Sequence, residues 1–158
     1  MKIIGYFTVF VKAEWDKMQR KDTSDLKQEL MAESDLDRFL SDNEDSFIDR
    51  TIQEILNDLV IKKGISKAVL AKQAGMSEVY LHQVFAGRRN PSRNRLLCLC
   101  FGLNATLEEC QDLMKQCGLA QLYPGKKRDA IIIYGLIHKM TLFEVNDKLF
   151  TEDEETLY

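Results

Sequence analysis

Residues 67–84 read KAVLAKQAGMSEVYLHQV, and the fold turns on this stretch. Two short helices crossing steeply through a tight turn have exacting needs, and each is met here. Ala71 supplies a small side chain where the helices meet. Gly75 can take the left-handed backbone conformation of the turn, which costs other residues ~1–2 kcal/mol. Leu70, Ala74, Met76, Leu81 and Val84 are spaced to bury the pair against further helices. Ser77 is an N-cap, so the helix after it, expected over 78–86, projects Glu78, Val79, His82 and Gln83 outward.

Working outward, the same punctuation recurs. Ile48, Ile52, Ile55, Leu56 and Leu59 form an apolar stripe at helical spacing, ended by Gly64, with Ser46 and Asp49 in the pattern of a capping box. Ser66 caps the first helix of the quoted pair and Gly87 stops the second. Pro91-Ser92 opens a fourth helix ending near Gly102, and Thr106 with Glu109 caps a fifth ending at Gly118. After a turn at Tyr123-Pro124-Gly125, residues 128–138 and 141–150 form two more, Thr141 capping the last. The run Ile131-Ile132-Ile133 also suits a strand, but with no partner strand nearby it reads as helix. Residues 22–33 and 35–40 suit short helices before an acidic loop at 41–45. The chain is therefore expected to be all-α: an acidic N-terminal arm over 1–45, partly helical or disordered, a helical domain over 46–117 and a helical extension over 118–158.

Residues 64–110, GISKAVLAKQAGMSEVYLHQVFAGRRNPSRNRLLCLCFGLNATLEEC, resemble the bacterial XRE, Cro/repressor-like (lambda-repressor-like) helix-turn-helix family without a gap. The shared elements are a Ser-started helix, LA..AG.S, YL.Q...G.R.PS and LL.L...L..TLEE. Residues 118–158 resemble a helical extension on some XRE-like proteins of Gram-positive bacteria. The resemblance implies a five-helix domain and a DNA-binding transcriptional regulator that lays helix 78–86 in the major groove of double-stranded DNA. Glu78, Val79, His82 and Gln83 match positions that face bases. Lys67, Ser77, Arg88 and Arg89 match phosphate-contacting positions, and Arg93 and Arg95 continue that basic edge. Gln83 can pair with adenine and Val79 can touch a thymine methyl. Glu78, where the family carries a polar or basic residue, helps the helix dipole by ~0.3–1 kcal/mol and repels phosphate unless it accepts from cytosine N4. Lys67 stands where glutamine is usual, while Phe85 and Ala86 make the surface greasier. The alternative is a degenerate helix-turn-helix module that docks a protein partner through Phe85, Val79 and the C-terminal helices.

Charge distribution points the same way as the motif. The net charge of −3 hides a basic window at 62–95, where eight cations face the single anion Glu78, and an acidic window at 14–58 with fourteen acids and six bases. Such asymmetry concerns partners rather than fold. Cys98, Cys100, Cys110 and Cys117 read as reduced core residues: Cys98 and Cys100 point about 200° apart on a helix, and no CxxC pair or nearby histidine gives metal spacing. No paired catalytic set or Gly-rich phosphate loop is present, so no enzyme, metal or cofactor is expected. The apolar run at 3–11 is far shorter than the ~20 residues of a membrane span, and Lys12-Ala13-Glu14 does not suit signal cleavage. A cytoplasmic protein is expected, with Met18 as an alternative start. The apolar surplus of Ile131, Ile132, Leu136, Ile137, Leu142, Phe143, Val145, Leu149 and Phe150 is expected to pack on the fifth helix or on a second copy, as a homodimer.

Overall fold

The computed structural model describes residues 21–47 and 50–158, which form nine α-helices and one 3-10 turn, with no strand among the described residues. The expectations for residues 1–20, including the apolar run and the start at Met18, lie outside the described residues, as do Ile48 and Asp49. The chain divides into two units, Met1–Asp49 and Arg50–Tyr158.

In the first unit, α1 spans Thr23–Ala32 and α2 spans Leu36–Asp42, each started by an aspartate that accepts from backbone N–H groups, Asp22 and Asp35. Glu44–Ser46 is the 3-10 turn. Phe39 is buried and meets Phe47 edge to face at 6.2 Å. Asn43 is buried because its Nδ2 donates to the Phe39 carbonyl at 3.0 Å and its Oδ1 accepts from Lys21 at 2.9 Å. Among the described residues of this unit Phe39 is the buried apolar side chain, while Leu30, Met31, Leu36 and Leu40 are exposed.

The first helix of the second unit starts later than a cap at Ser46 would place it. The helix α3 spans Ile52–Lys63, and its cap is a full capping box between Thr51 and Glu54. Glu54 reaches back to the Thr51 N–H at 2.8 Å, a reach suited to the longer acid. Ser46 instead ends the 3-10 turn. The following helices are α4 (Lys67–Gln73), α5 (Glu78–Phe85), α6 (Arg93–Gly102), α7 (Leu107–Gln116), α8 (Lys127–Ile137) and α9 (Leu142–Thr151). Ser66, Ser77, Ser92, Thr106 and Thr141 cap α4, α5, α6, α7 and α9 through their side-chain oxygens.

Helix α6 is the centre. Leu96, Leu97, Cys98, Leu99 and Cys100 are consecutive and all buried, because α4, α7 and α9 all pack on this helix. This explains small cysteines on two faces of one helix. Burial raises the Cys98 thiol to about 11, and a hydrogen bond with Cys110 together with burial raises that of Cys100 well above its usual range. Gly102 permits the close crossing of α6 and α4: a Cβ there would lie 2.9 Å from both the Ala74 Cβ and a Leu70 methyl.

Helix α8 packs on α7, and α9 on α8 and α6. Of the apolar surplus, Ile132, Leu136, Leu142, Val145 and Leu149 are buried in the core shared with α3–α7, and Ile131 packs against it. Ile137, Phe143 and Phe150 are exposed. A polar clamp ties the 117–126 connection and the start of α8 to α6. Asp129, only 5% exposed, accepts from Arg93 Nη2 at 3.1 Å and from the Tyr123 N–H at 2.9 Å. Arg93 also donates to the carbonyls of Ala120 and Gln121.

Candidate nucleic-acid interface

The outward face begins at the turn between α4 and α5. Gly75 has φ +62°, the left-handed geometry the sequence required of it. The Met76 N–H bonds back to the Ala71 carbonyl at 2.9 Å, and the Ser77 hydroxyl accepts the Tyr80 N–H at 3.1 Å, which fixes where α5 starts. The buried side of α5 is Leu81, Val84 and Phe85. On its other side Val79 is 68% exposed, Glu78 and His82 are exposed, and Gln83 is half-buried. The four residues expected to face bases therefore share the solvent side of one helix.

Beyond α5 the chain is held against the helix end. The N–H groups of Arg88 and Arg89 both bond to the Gln83 carbonyl, at 2.9 and 3.3 Å, so both exposed arginines are anchored at the helix that carries the outward face. Tyr80 then gathers two cations. The Arg89 guanidinium lies 5.8 Å and the Arg95 guanidinium 5.4 Å from its ring centroid, within cation–π range. Gly75, Met76, Ser77, Val79, Tyr80, Gln83, Arg89 and Arg95 line an open cleft of about 430 Å³. Turn, helix start and two guanidinium groups thus border one concavity.

The basic window sorts into spent and free charges. Lys62 and Lys63 pair with Glu109 at 2.9 and 2.8 Å. Burial alone would raise the Glu109 pKa, but hydrogen bonds from Lys63 and Lys62 and from the Thr106 N–H hold it down to about 2. Arg93, expected on the phosphate edge, is instead turned to Asp129 and two carbonyls of the 117–126 connection. A guanidinium so committed forms part of the clamp. Lys67, Lys72, Arg88, Arg89 and Arg95 make no ion pair among the described residues. Lys67 sits with its ammonium 4.8 Å above the Phe85 ring. Phe85 itself is 9% exposed, packed in the core rather than making the surface greasier. Phe85 is the last residue of α5, which packs on α3, and its ring joins the core cluster. The stacked role of Tyr80 had no local signal, since Arg95 is fifteen residues away and reaches it only through the fold.

No group of three or more His, Cys, Asp or Glu side chains that could hold a metal occurs among the described residues. No helix among them is long and apolar enough to cross a membrane. Comparison with curated proteins and with solved structures finds no match. A family model described as a helix-turn-helix domain matches residues 52–113, the span from the start of α3 into α7 that contains the crossing pair, its turn and the two arginines on Tyr80. The described residues are all-α, and residues 52–113 match a helix-turn-helix domain.

Proposed function

We propose that this protein is a transcriptional regulator of the XRE, Cro/repressor-like type, acting in the cytoplasm on double-stranded DNA, with α5 reading the major groove. The observation that carries this reading is the solvent side of α5, where Glu78, Val79, His82 and Gln83 stand free beside the Arg89–Tyr80–Arg95 stack. Arginine forks and a helix N-terminus suit phosphate oxygens, and phosphate contacts set register so that base edges can be read. Lys67, Arg88, Arg89 and Arg95 are the phosphate-facing cations, and Ser77 at the start of α5 lines the same cleft as Arg89 and Arg95. Gln83 suits adenine, Val79 a thymine methyl and Glu78 the N4 amine of cytosine. Glu78 is then a discriminator: it repels a backbone that cannot offer that amine.

A homodimer completes the reading. One recognition helix spans only a half-site, and domains of this kind join two half-sites about one helical turn apart. The exposed Phe143, Phe150 and Ile137 are the surface for the second copy. The docking-module reading loses Phe85, which is buried.

Selection from random duplex DNA tests the proposal, with wild type compared against Arg88→Ala/Arg89→Ala. Wild type is expected to enrich a defined sequence, with log affinity falling against log salt at a slope of roughly −3 to −4 for four cations. The double variant should lose about two units of that slope. No enriched sequence together with a flat salt response would overturn the reading in favour of a protein-docking module.

A further inference from the structure

Residues 152–158 follow α9, and the chain pins them at several points. Arg128 Nε donates to the Glu155 carbonyl at 2.7 Å, while its Nη2 reaches the Thr156 carbonyl at 3.4 Å and Asn94 Oδ1 at 3.1 Å. The Leu157 N–H donates to Asn146 Oδ1 at 2.7 Å, and the Leu157 carbonyl faces the Cys98 thiol at 3.8 Å. Leu157 is 3% exposed, so its side chain is seated in the core. The Thr156 hydroxyl closes the run on the Tyr158 carbonyl at 2.8 Å. This is a fixed strap.

The strap delivers Tyr158 to the turn of the helix-turn-helix pair. Its Cε1 and Cδ1 atoms lie 3.3 and 3.5 Å from where a Cβ on Gly75 would stand, beside a Leu142 methyl. Gly75 is also a wall of the cleft that holds Ser77, Val79, Tyr80, Gln83, Arg89 and Arg95. Yet Tyr158 remains 58% exposed: the Cδ1–Cε1 edge of its ring rests on the turn while much of the side chain is in solvent. A phenol offers a hydrogen-bond donor for a phosphate oxygen and an apolar ring for a sugar. The carboxylates of Glu152, Asp153, Glu154 and Glu155 repel phosphate, which leaves Tyr158 as the residue of the strap suited to touch it.

We propose that Tyr158 is part of the nucleic-acid face, contacting the sugar-phosphate backbone beside the turn that starts α5. This rests on the DNA-binding reading above and adds a contact from outside the 52–113 span of the helix-turn-helix match. The helical extension therefore contributes to binding as well as to the core.

The test is photocrosslinking of the full chain to a mixed-sequence duplex of roughly 30 base pairs at about 50 mM salt, where non-specific binding suffices. The photoreactive residue p-benzoylphenylalanine is placed in turn at positions 158, 79 and 143. Crosslinks from 158 and 79 but not 143 are expected. A crosslink from 79 with none from 158 overturns this proposal and leaves the DNA-binding reading standing. No crosslink from either, with no duplex bound, overturns both. As a second readout, Tyr158→Ala should weaken duplex binding about three- to tenfold, the scale of one hydrogen bond. It should leave the salt slope unchanged, since a phenol displaces no counterion, and leave Tm unchanged. Wild-type affinity in Tyr158→Ala overturns the proposal.

Discussion

Helix pairs α4–α5 and α8–α9 are built to one plan and show solvent different chemistry. Each pair contributes a helix that packs on α6, and the second helix of each is headed by a hydroxyl cap, Ser77 or Thr141. The first pair leaves Glu78, Val79, His82 and Gln83 outside, beside arginines with no ion pair among the described residues. The second leaves Tyr134, Ile137, Phe143 and Phe150 outside, with the two phenylalanines 72% and 75% exposed. Phe143 and Phe150 are seven residues apart and so stand on the same side of α9. Keeping two such rings in water forgoes several kcal/mol of burial at about 25 cal/mol per Å², and apolar groups gathered on one face are the mark of a contact surface. The difference teaches that a shared scaffold carries two outward tasks, one suited to a polyanion and one to an apolar partner, for which we propose a second copy.

The largest expected effect breaks the scaffold beneath both faces. Asp129→Ala leaves the Arg93 guanidinium and the Tyr123 N–H without their partner, and denaturant unfolding should show a loss of about 3 kcal/mol. An unchanged unfolding midpoint would mean that the clamp is not what fastens the second pair. A smaller effect separates the faces. Phe143→Ala/Phe150→Ala should convert a dimer to a monomer in sedimentation, and weaken binding to a duplex carrying two half-sites about tenfold while sparing a single half-site. Unaltered sedimentation would sink the second-copy assignment without touching α5.

The smallest effect sharpens the basic side. Glu109 has its pKa held at about 2, below an ordinary 4.5, so its contribution is complete above 4.5 and is lost as pH falls from there towards 2. Glu109→Gln should therefore flatten the acid limb of the stability profile in that window. At neutral pH it should cost less than about 1 kcal/mol, because the lysine ends of these pairs reach solvent. It also releases Lys62 and Lys63; a steeper salt slope for DNA would place them near the duplex.

What the sequence disclosed was local. Ser66, Ser77, Thr106 and Thr141 were legible as caps because a cap is an exchange between a side chain and the N–H groups two or three residues on. Helix over strand at Ile131-Ile132-Ile133 was legible for lack of a partner strand. The Ser46 cap went astray because Ser-x-x-Asp and Thr-x-x-Glu look alike as patterns; Ser46 ends the 3-10 turn, and the glutamate of the second pattern reaches back to Thr51. The outward side of α5 followed from the apolar spacing of Leu81 and Val84. Partners distant in sequence left no such trace. Arg93 meets Asp129 across thirty-six residues, and Tyr158 meets Gly75 across eighty-three, so neither has a periodicity to betray it. Phe85 was misjudged for a related reason: the residue that covers it, Lys67, lies on another helix.

Helix α6, buried along Leu96–Cys100 with a partner on every side, has a consequence for motion. A segment without a solvent-facing side has no cheap local route to opening, so its amide protons exchange with solvent only when the whole of Arg50–Tyr158 comes apart. The helix-turn-helix pair and the aromatic pair both rest on that helix and so melt together. Trimming the chain to the span that resembles other proteins would strip α9 from α6 and turn its hidden side to water.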